Sequence, residues 1–256
     1  MPVVPVVHTN PEVRVAIRRG FPRRGIRVRR IADLAAVRAL LARELVDAVV
    51  VDVKAGDPAP TFALAAEFPT IPVWAFSAFR PDDGVLLAAC LEGGLRGVFV
   101  EGVDEAVAGE VIAQHTASRA RLTALGDAPR QLRLTEAIQR AAFFEVFARA
   151  GIRTTTADVA DALERTREHL SREFAAGGAP NLKRVIDLAR TVCAADLLQN
   201  PGYDVRGVAA VLHYASPSHL ATATRRVAGA TPSELARLGP KGVFQRFLRG
   251  RTRSRI

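Results

Sequence analysis

The strongest constraint on the fold is a helical pattern that occurs twice in the second half of the chain. Each copy has a short apolar helix face, a break and a second apolar face, which is the pattern of a helix-turn-helix. The later copy has its apolar residues at Val205, Val208, Ala209, Leu212, Leu220, Ala223 and Val227. The earlier copy begins 49 residues upstream, has them at Val159, Ala160, Leu163, Leu170 and Phe174, and has a turn one residue shorter. We therefore expect two helical units of one design.

Polar residues at the two breaks predict where the second helix of each copy begins. Ser216 precedes Pro217, and a Ser side chain caps unpaired backbone N–H groups while Pro fits the first helical position. Thr166 stands at the matching upstream position. Residues 181–200, between the copies, predict a helix that joins the two units. Its apolar face consists of Leu182, Val185, Ile186, Ala189, Val192 and Cys193.

Residues 130–238 resemble the DNA-binding domain of AraC/XylS-type transcriptional regulators. The resemblance rests on ADVADALERTREHLSREF, GGAP, LKRVIDLARTVCAADLLQN, VRGVAAVLHYASPSHLATATRR and the closing GATPSEL. It implies an all-α domain in which two helix-turn-helix units, joined by a long helix, bind double-stranded DNA in a sequence-specific way. It also implies RNA polymerase as a further partner and slightly favours activation of transcription.

Outward positions on the second helix of each unit are the candidate DNA contacts. Inward positions are taken by Leu170 and Phe174 upstream and by Leu220 and Ala223 downstream. Arg can bind guanine bidentately, Glu can accept from cytosine and a hydroxyl can serve either base, while other Arg residues meet phosphates. The candidates are Arg167, Glu168, Ser171 and Arg172 upstream, and Ser218, His219, Thr222, Arg225 and Arg226 downstream, with Arg225 and Arg226 expected on phosphates.

The downstream unit departs from the family pattern at two positions. His213 stands in the turn where the family has glycine, which adopts a positive φ without strain. Thr224 stands where the family has a core aromatic residue, so we expect unfilled space in a small core. Tyr214 keeps the aromatic that follows the turn. These departures predict that the upstream unit carries more of the specificity.

Positive charge is concentrated in the same half of the chain. Residues 151–256 contain 17 Lys or Arg against 9 Asp or Glu, whereas residues 1–150 contain 19 against 17. A basic surface gains free energy on a phosphate backbone because it releases condensed counterions. The charge distribution therefore favours nucleic acid as the partner of the second half.

Apolar runs and helical patterns alternate over the first 120 residues. The runs predict strands at 3–7, 26–28, 48–53, 71–76 and 97–100, and a last helix is expected from Val103 to about Leu125. Near-continuous apolar runs such as AVVVDV suit strands that are buried on both faces of a parallel sheet. The predicted fold class is a doubly wound, five-stranded α/β domain of the flavodoxin type, followed by the all-α domain.

This first half resembles a response-regulator receiver domain over almost its full length. Asp52 ends a predicted strand five residues after Asp47, at the place where receivers carry the phosphoacceptor. The family also needs an acidic pair that binds Mg²⁺, a Ser or Thr, and a Lys. The corresponding residues in this chain are His8, Thr9, Ser77 and Glu101.

Three of these four residues are unfavourable for phosphorylation. Mg²⁺ binding draws on carboxylates, and His8 and Thr9 supply no negative charge. Glu101 would repel a phosphoryl group by about 1 kcal/mol or more at close range. We therefore expect a degenerate receiver-like domain that is not phosphorylated at Asp52 by the usual route. By resemblance, Phe76, Phe79 and the DGVLLAACLEGG helix are candidates for a homodimer surface, although each apolar residue could equally belong to the core.

The predicted domains are a receiver-like domain at 1–125, a DNA-binding domain at 130–238 and a basic tail at 239–256. Residues 130–151 are expected to form one helix with Leu134, Ile138, Ala141 and Ala142 on one side. No run of 18 or more apolar residues occurs, so we expect a soluble, cytoplasmic protein without a membrane segment. Cys90 and Cys193 lie in apolar patterns and predict buried thiols, with no metal site and no cofactor.

The main prediction is a sequence-specific transcriptional regulator that is not an enzyme, because no nucleophile with a base, no phosphate loop and no metal cluster is present. The receiver-like domain would act in dimerisation or in signal input. Two alternatives remain open. One is an adaptor that binds another regulator, and the other is a response regulator that depends on phosphorylation of Asp52.

Overall fold

The computed structural model describes residues 2–21, 26–175 and 178–250. Two compact units divide the chain. The first contains Met1–Ala120 with Asn200–Gly202, and the second contains Arg121–Gln199 with Tyr203–Ile256.

Five strands form one parallel sheet in the first unit. They are β1 (Val3–Val7), β2 (Arg27–Arg30), β3 (Val49–Val51), β4 (Val73–Ser77) and β5 (Gly97–Val100). Their order is β2-β1-β3-β4-β5, and each neighbouring pair is parallel. This is the flavodoxin-like order. Every residue of β3 and β4 is buried, as the continuous apolar runs predicted. The predicted fold class is confirmed for this half.

Six helices accompany or follow the strands. They are α1 (Pro11–Arg19), α2 (Leu34–Leu41), α3 (Ala59–Glu67), α4 (Gly84–Glu92), α5 (Ala108–Gln114) and α6 (Ala117–Ala124). Asn10 caps α1, because its side chain accepts a hydrogen bond from the Glu12 N–H at 2.9 Å. The alternation of strands with these helices produces the doubly wound fold.

The last helical segment of this half differs from the prediction. The single helix expected from Val103 to Leu125 is wrong, since α5 and α6 are separate. The buried carboxylate of Asp47 accepts a hydrogen bond from the Ser118 N–H at 2.7 Å and one from its hydroxyl at 2.5 Å. A distant carboxylate thus satisfies the backbone where α6 begins, and this allows a new helix to start there.

The second unit is entirely helical in the part that the structure describes. Its helices are α7 (Ala128–Gln131), α8 (Ala137–Ala148), α9 (Thr156–Ala162), α10 (Arg167–Ala175), α11 (Leu182–Leu197), α12 (Val205–Val211), α13 (Pro217–Ala228) and α14 (Pro232–Gly250). The joining helix was predicted correctly, because all six residues of its expected apolar face are buried in α11. The all-α half of the predicted fold class is therefore confirmed.

Helix α8 begins later than expected and buries a different face. Gln139 is buried and its amide donates to the Glu173 carbonyl at 2.7 Å, whereas Ala141 and Phe144 are exposed. The prediction that Ala141 faces inward is therefore wrong. The buried face of α8 therefore includes Gln139, which bonds to α10, and does not include Ala141.

Helix α14 extends into the segment predicted as a tail. Its axis is interrupted at Gly239, which has φ 60° and ψ −175° and precedes Pro240. Beyond that break, Val243, Phe244 and Phe247 are buried, and α14 packs on α11 and α13. Residues 239–250 are thus part of the helical unit, while residues 251–256 lie outside the described residues. None of the described helices is long and apolar enough to cross a membrane.

Candidate nucleic-acid interface

The two helix pairs, α9 with α10 and α12 with α13, close their first helices with the same backbone hydrogen bond, although the downstream turn is one residue longer. The backbone N–H of Arg165 donates to the Ala160 carbonyl at 3.0 Å, and the N–H of Tyr214 donates to Ala209 at 2.8 Å. Both bonds close the first helix of the pair five residues back. The chain then leaves the helix in the same way in both copies, so the repeat in sequence is a repeat in structure.

A residue with positive φ stands in each turn. His213 has φ 55°, and Glu164, 49 residues upstream, also has φ 55°. The missing glycine at His213 predicted an energetic cost or a reshaped turn, and Glu164, which the offset of the repeat aligns with it, was not expected to share this conformation. Both turns therefore hold a side chain in the left-handed region that favours glycine.

Capping hydroxyls fix the start of both second helices, as predicted. The Ser216 hydroxyl oxygen accepts a hydrogen bond from the His219 N–H at 3.0 Å. The Thr166 hydroxyl oxygen accepts one from the His169 N–H at 3.2 Å. Each cap satisfies one of the backbone donors that a helix leaves unpaired at its first turn.

The face that each second helix turns away from its own unit carries all nine predicted contact residues. Leu170 and Leu220 are fully buried and anchor the opposite faces of α10 and α13. The exposed residues are Arg167, Glu168, Ser171 and Arg172 on α10, and Ser218, His219, Thr222, Arg225 and Arg226 on α13. Their exposure leaves them accessible to a ligand as large as a DNA duplex.

One of these residues already forms an ion pair with the joining helix α11. Arg226 donates to the Asp187 carboxylate at 2.8 Å, which offsets part of its positive charge. Among the described residues, Arg225, Arg167 and Arg172 have no ion-pair partner. Their charge therefore remains available for phosphate or guanine.

Thr224 fills its core position in a way that the sequence did not suggest. Its side chain is fully buried, and its hydroxyl lies 2.8 Å from the Ala230 carbonyl oxygen and 3.0 Å from that of Ala221. The downstream core thus contains a buried hydroxyl that bonds to the backbone at the position where an aromatic ring was expected.

A cluster of polar residues lies at the carboxyl ends of the strands in the first unit. It brings together four of the five predicted residues, His8, Asp52, Ser77 and Glu101. The Ser77 hydroxyl donates to Asp52 Oδ1 at 2.6 Å and accepts from the Val53 N–H at 3.0 Å. Thr9, the fifth, is exposed.

The His8 ring is oriented by a hydrogen bond from the backbone of Asn10. Its Nδ1 accepts a hydrogen bond from the Asn10 N–H at 3.0 Å, which places the proton of a neutral ring on Nε2. That Nε2 is buried without a hydrogen-bond partner among the described residues, and it lies 3.5 Å from Glu101 Oε2 and 3.9 Å from Asp52 Oδ2. Within the described chain, no three His, Cys, Asp or Glu side chains are arranged to hold a metal ion.

Two further residues of this region, Asn10 and Lys54, were not predicted from the sequence. The Asn10 amide donates to Glu101 Oε1 at 2.6 Å, in addition to capping α1. The Lys54 ammonium donates to the Ala78 carbonyl at 3.1 Å and pairs with Asp83, and this contact holds the pKa of the Asp83 carboxyl below its usual range. Only their positions just after β1 and β3 could have indicated them.

Two capped helix pairs with outward second helices, in a half of the chain rich in Lys and Arg, are the features of a helix-turn-helix DNA-binding domain. A family of helix-turn-helix domains matches residues 159–238. The match includes both units and supports a DNA-binding transcriptional regulator of the AraC type. No curated protein and no solved structure matches the chain.

Proposed function

We propose that the chain is a sequence-specific transcriptional regulator in which α10 and α13 each enter a major-groove segment of double-stranded DNA. The observation that carries the proposal is the repeated geometry, since both units share the hydrogen bond that closes the first helix, the cap of the second helix and its exposed face. A recognition helix reads base edges with residues near its N-terminus. Glu168, Ser218 and His219 occupy that part of α10 and α13.

Arg172 is the residue proposed for the most specific upstream contact. It is exposed on α10, and a guanidinium can bind O6 and N7 of guanine together. Ser171 and Glu168 lie on the same exposed surface and would read neighbouring bases. Arg225, which follows Thr222 on α13, is proposed for phosphate.

In vitro selection of DNA sequences by the full chain tests this function. We expect one site with two separated segments of preference, and an affinity that falls steeply as salt rises. Arg172→Ala should weaken the free energy of specific DNA binding by about 1–3 kcal/mol and relax the base preference at one position of the site. Arg237→Ala removes an exposed positive charge from α14 and is the matched control, which should leave the preferences unchanged. Binding without sequence preference, or no binding, would favour the adaptor function.

We further propose that the first unit provides signal input without phosphorylation of Asp52. Asp52 Oδ1 already accepts hydrogen bonds from the Ser77 hydroxyl at 2.6 Å and from the Lys54 N–H at 3.0 Å. Glu101 stands close by and adds a second negative charge near the His8 ring. Phosphoryl transfer to Asp52 would add further negative charge beside a carboxylate.

Treatment with acetyl phosphate or with beryllofluoride and Mg²⁺ tests this point. We expect no mass increase on Asp52 and no difference between the native chain and Asp52→Asn. A Mg²⁺-dependent modification that disappears in Asp52→Asn would establish the phosphorylation-dependent alternative.

We also propose that exposed apolar residues of the first unit support a homodimer. Val85 and Leu91 on α4 are 86% and 62% exposed, and Val103 and Val107, before α5, are 72% and 51% exposed. Phe76 was a candidate for this surface but is fully buried, so it belongs to the core. Apolar area of this kind gains free energy when a second copy covers it. Sedimentation equilibrium should show a dimer that Leu91→Glu weakens, and a monomer at all concentrations would count against it.

A further inference from the structure

Arg190 connects the joining helix to the turn of the downstream unit. Its Nη2 donates to the Leu212 carbonyl at 2.8 Å, and its guanidinium carbon lies 4.0 Å from the centre of the Tyr214 ring. Leu212 ends α12, where backbone carbonyls lack helical partners and a positive charge is favourable. Arg190 Nε is buried without a hydrogen-bond partner among the described residues. The contacts with Leu212 and Tyr214 therefore fix one end of the guanidinium against the downstream turn.

Tyr214 carries this contact onward to the recognition helix. It is 8% exposed, and burial raises the pKa of its hydroxyl. The ring meets that of His219 edge to face, with 5.7 Å between the centres and 86° between the planes. The Tyr214 ring lies between the guanidinium and the imidazole, and its side chain also forms a hydrogen bond with Thr191. Arg190 is therefore one of the contacts that set the position of the ring beside His219.

His219 is exposed and stands in the first turn of α13, where a recognition helix faces the base edges. Its backbone N–H is held by Ser216, and its ring rests against Tyr214. A side chain that is ordered before binding loses less conformational entropy when it meets its ligand.

We propose that Arg190 is a positioning residue for the downstream half of the DNA site, because it holds Tyr214 and through it sets the orientation of the His219 ring. This inference rests on the proposed DNA-binding function. It names a specificity-determining residue that lies in the joining helix and not on either recognition helix.

The upstream unit serves as an internal comparison. Arg165 occupies the position of Tyr214 in the repeat, and its guanidinium donates to the Glu164 carbonyl at 3.0 Å. His169 occupies the position of His219. The upstream turn therefore has no aromatic ring to support its histidine at this position. Loss of Arg190 should consequently affect only the DNA segment that α13 reads.

DNA selection with the native chain, Arg190→Ala and Arg190→Lys tests the inference. We expect Arg190→Ala to reduce discrimination in one segment by about tenfold and to leave the other segment unchanged. Arg190→Lys keeps a cation and a donor and should restore part of the loss. His219→Ala should add little in the Arg190→Ala background, because the two residues act through one contact. A loss that is equal in both segments would overturn the proposal.

A second measurement does not depend on DNA. The His219 ring resonance, assigned by its disappearance in His219→Ala, should shift in Arg190→Ala and in Tyr214→Leu but much less in Arg190→Lys. Thermal unfolding of each variant shows whether the fold is retained. If the native chain selects no DNA sequence, the proposed function fails, and the resonance still decides the positioning. A His219 signal that is unchanged in folded Arg190→Ala would overturn it.

Discussion

Thr224→Val isolates the contribution of one buried hydroxyl to the downstream helix-turn-helix unit. The hydroxyl has a single proton, so the 2.8 Å contact to the Ala230 carbonyl is its main donated bond. Valine keeps the shape of the side chain but leaves this buried acceptor without its donor, which costs about 1–3 kcal/mol. The added methyl gives back part of that cost. We therefore expect a net loss of about 1–2 kcal/mol in the free energy of unfolding.

Urea unfolding followed by far-UV circular dichroism measures this loss. With an m value of about 2 kcal/mol/M, the midpoint should fall by about 0.5–1 M. Thr222→Val is the matched control, because Thr222 lies on the same helix and its hydroxyl donates to the Ser218 carbonyl at 3.0 Å, but its side chain is exposed. The control should change stability by less than about 0.5 kcal/mol.

The two variants should separate stability from recognition. Thr222 is a proposed base contact, so Thr222→Val should weaken specific DNA binding while the fold keeps its stability. Thr224→Val should lower stability and leave specific DNA binding unchanged, provided that binding is measured well below the urea midpoint of the variant. If Thr224→Val is as stable as the native chain, the hydroxyl makes no net contribution to the free energy of unfolding. The idea that its hydrogen bond stabilises the downstream core is then refuted.

Three other perturbations have defined outcomes. Ser216→Ala removes the cap of α13 and should cost about 1 kcal/mol in urea unfolding, and an unchanged midpoint would contradict the capping bond. Burial raises the pKa of both tyrosines, Tyr203 and Tyr214, so the native chain should show no tyrosinate absorbance near pH 10, where the unfolded chain titrates. Because the raised pKa values belong to the folded state, the contribution of the two tyrosines to stability should be constant below about pH 10 and fall as pH rises further. Cys90 and Cys193 are buried, and they should react with a thiol reagent only after denaturation.

The sheet could be predicted from sequence because short continuous apolar runs are typical of strands that are buried on both faces of a parallel sheet. β1 and β5 have the predicted bounds of 3–7 and 97–100. β2 was the least accurate, since it runs over Arg27–Arg30 and buries only Val28. An edge strand needs only backbone pairing and one inward side chain, so its three arginines gave no apolar signal.

Boundaries that depend on distant partners could not be read from sequence. The separation of α5 from α6 involves Asp47, which is 71 residues from Ser118 in the chain. The inward face of α8 includes Gln139, because the Glu173 carbonyl accepts its amide from another helix. Helical periodicity reports only neighbours within a few turns, so contacts of this kind remain hidden until the chain is folded.

The strand-end cluster shows the same division between what sequence can and cannot indicate. Resemblance placed His8, Thr9, Asp52, Ser77 and Glu101 together, and the structure joins all of them except the exposed Thr9 through contacts of His8 with Asp52 and Glu101 and of Ser77 with Asp52. Asn10 was not expected there, because an amide that bonds Glu101 is not part of the family pattern.

The two helix-turn-helix units stabilise their cores and turns with different contacts. The upstream unit closes its core with Phe174, whereas the downstream unit uses a hydrogen bond from Thr224. Apolar packing tolerates small shifts, but a buried hydrogen bond loses strength steeply when its angle changes. The downstream turn also gains the contacts of Arg190 with Leu212 and Tyr214. The lack of an aromatic residue at Thr224 and of glycine at His213 therefore does not by itself make the downstream unit the less specific of the two. Its specificity should instead be more sensitive to substitutions outside the recognition helix.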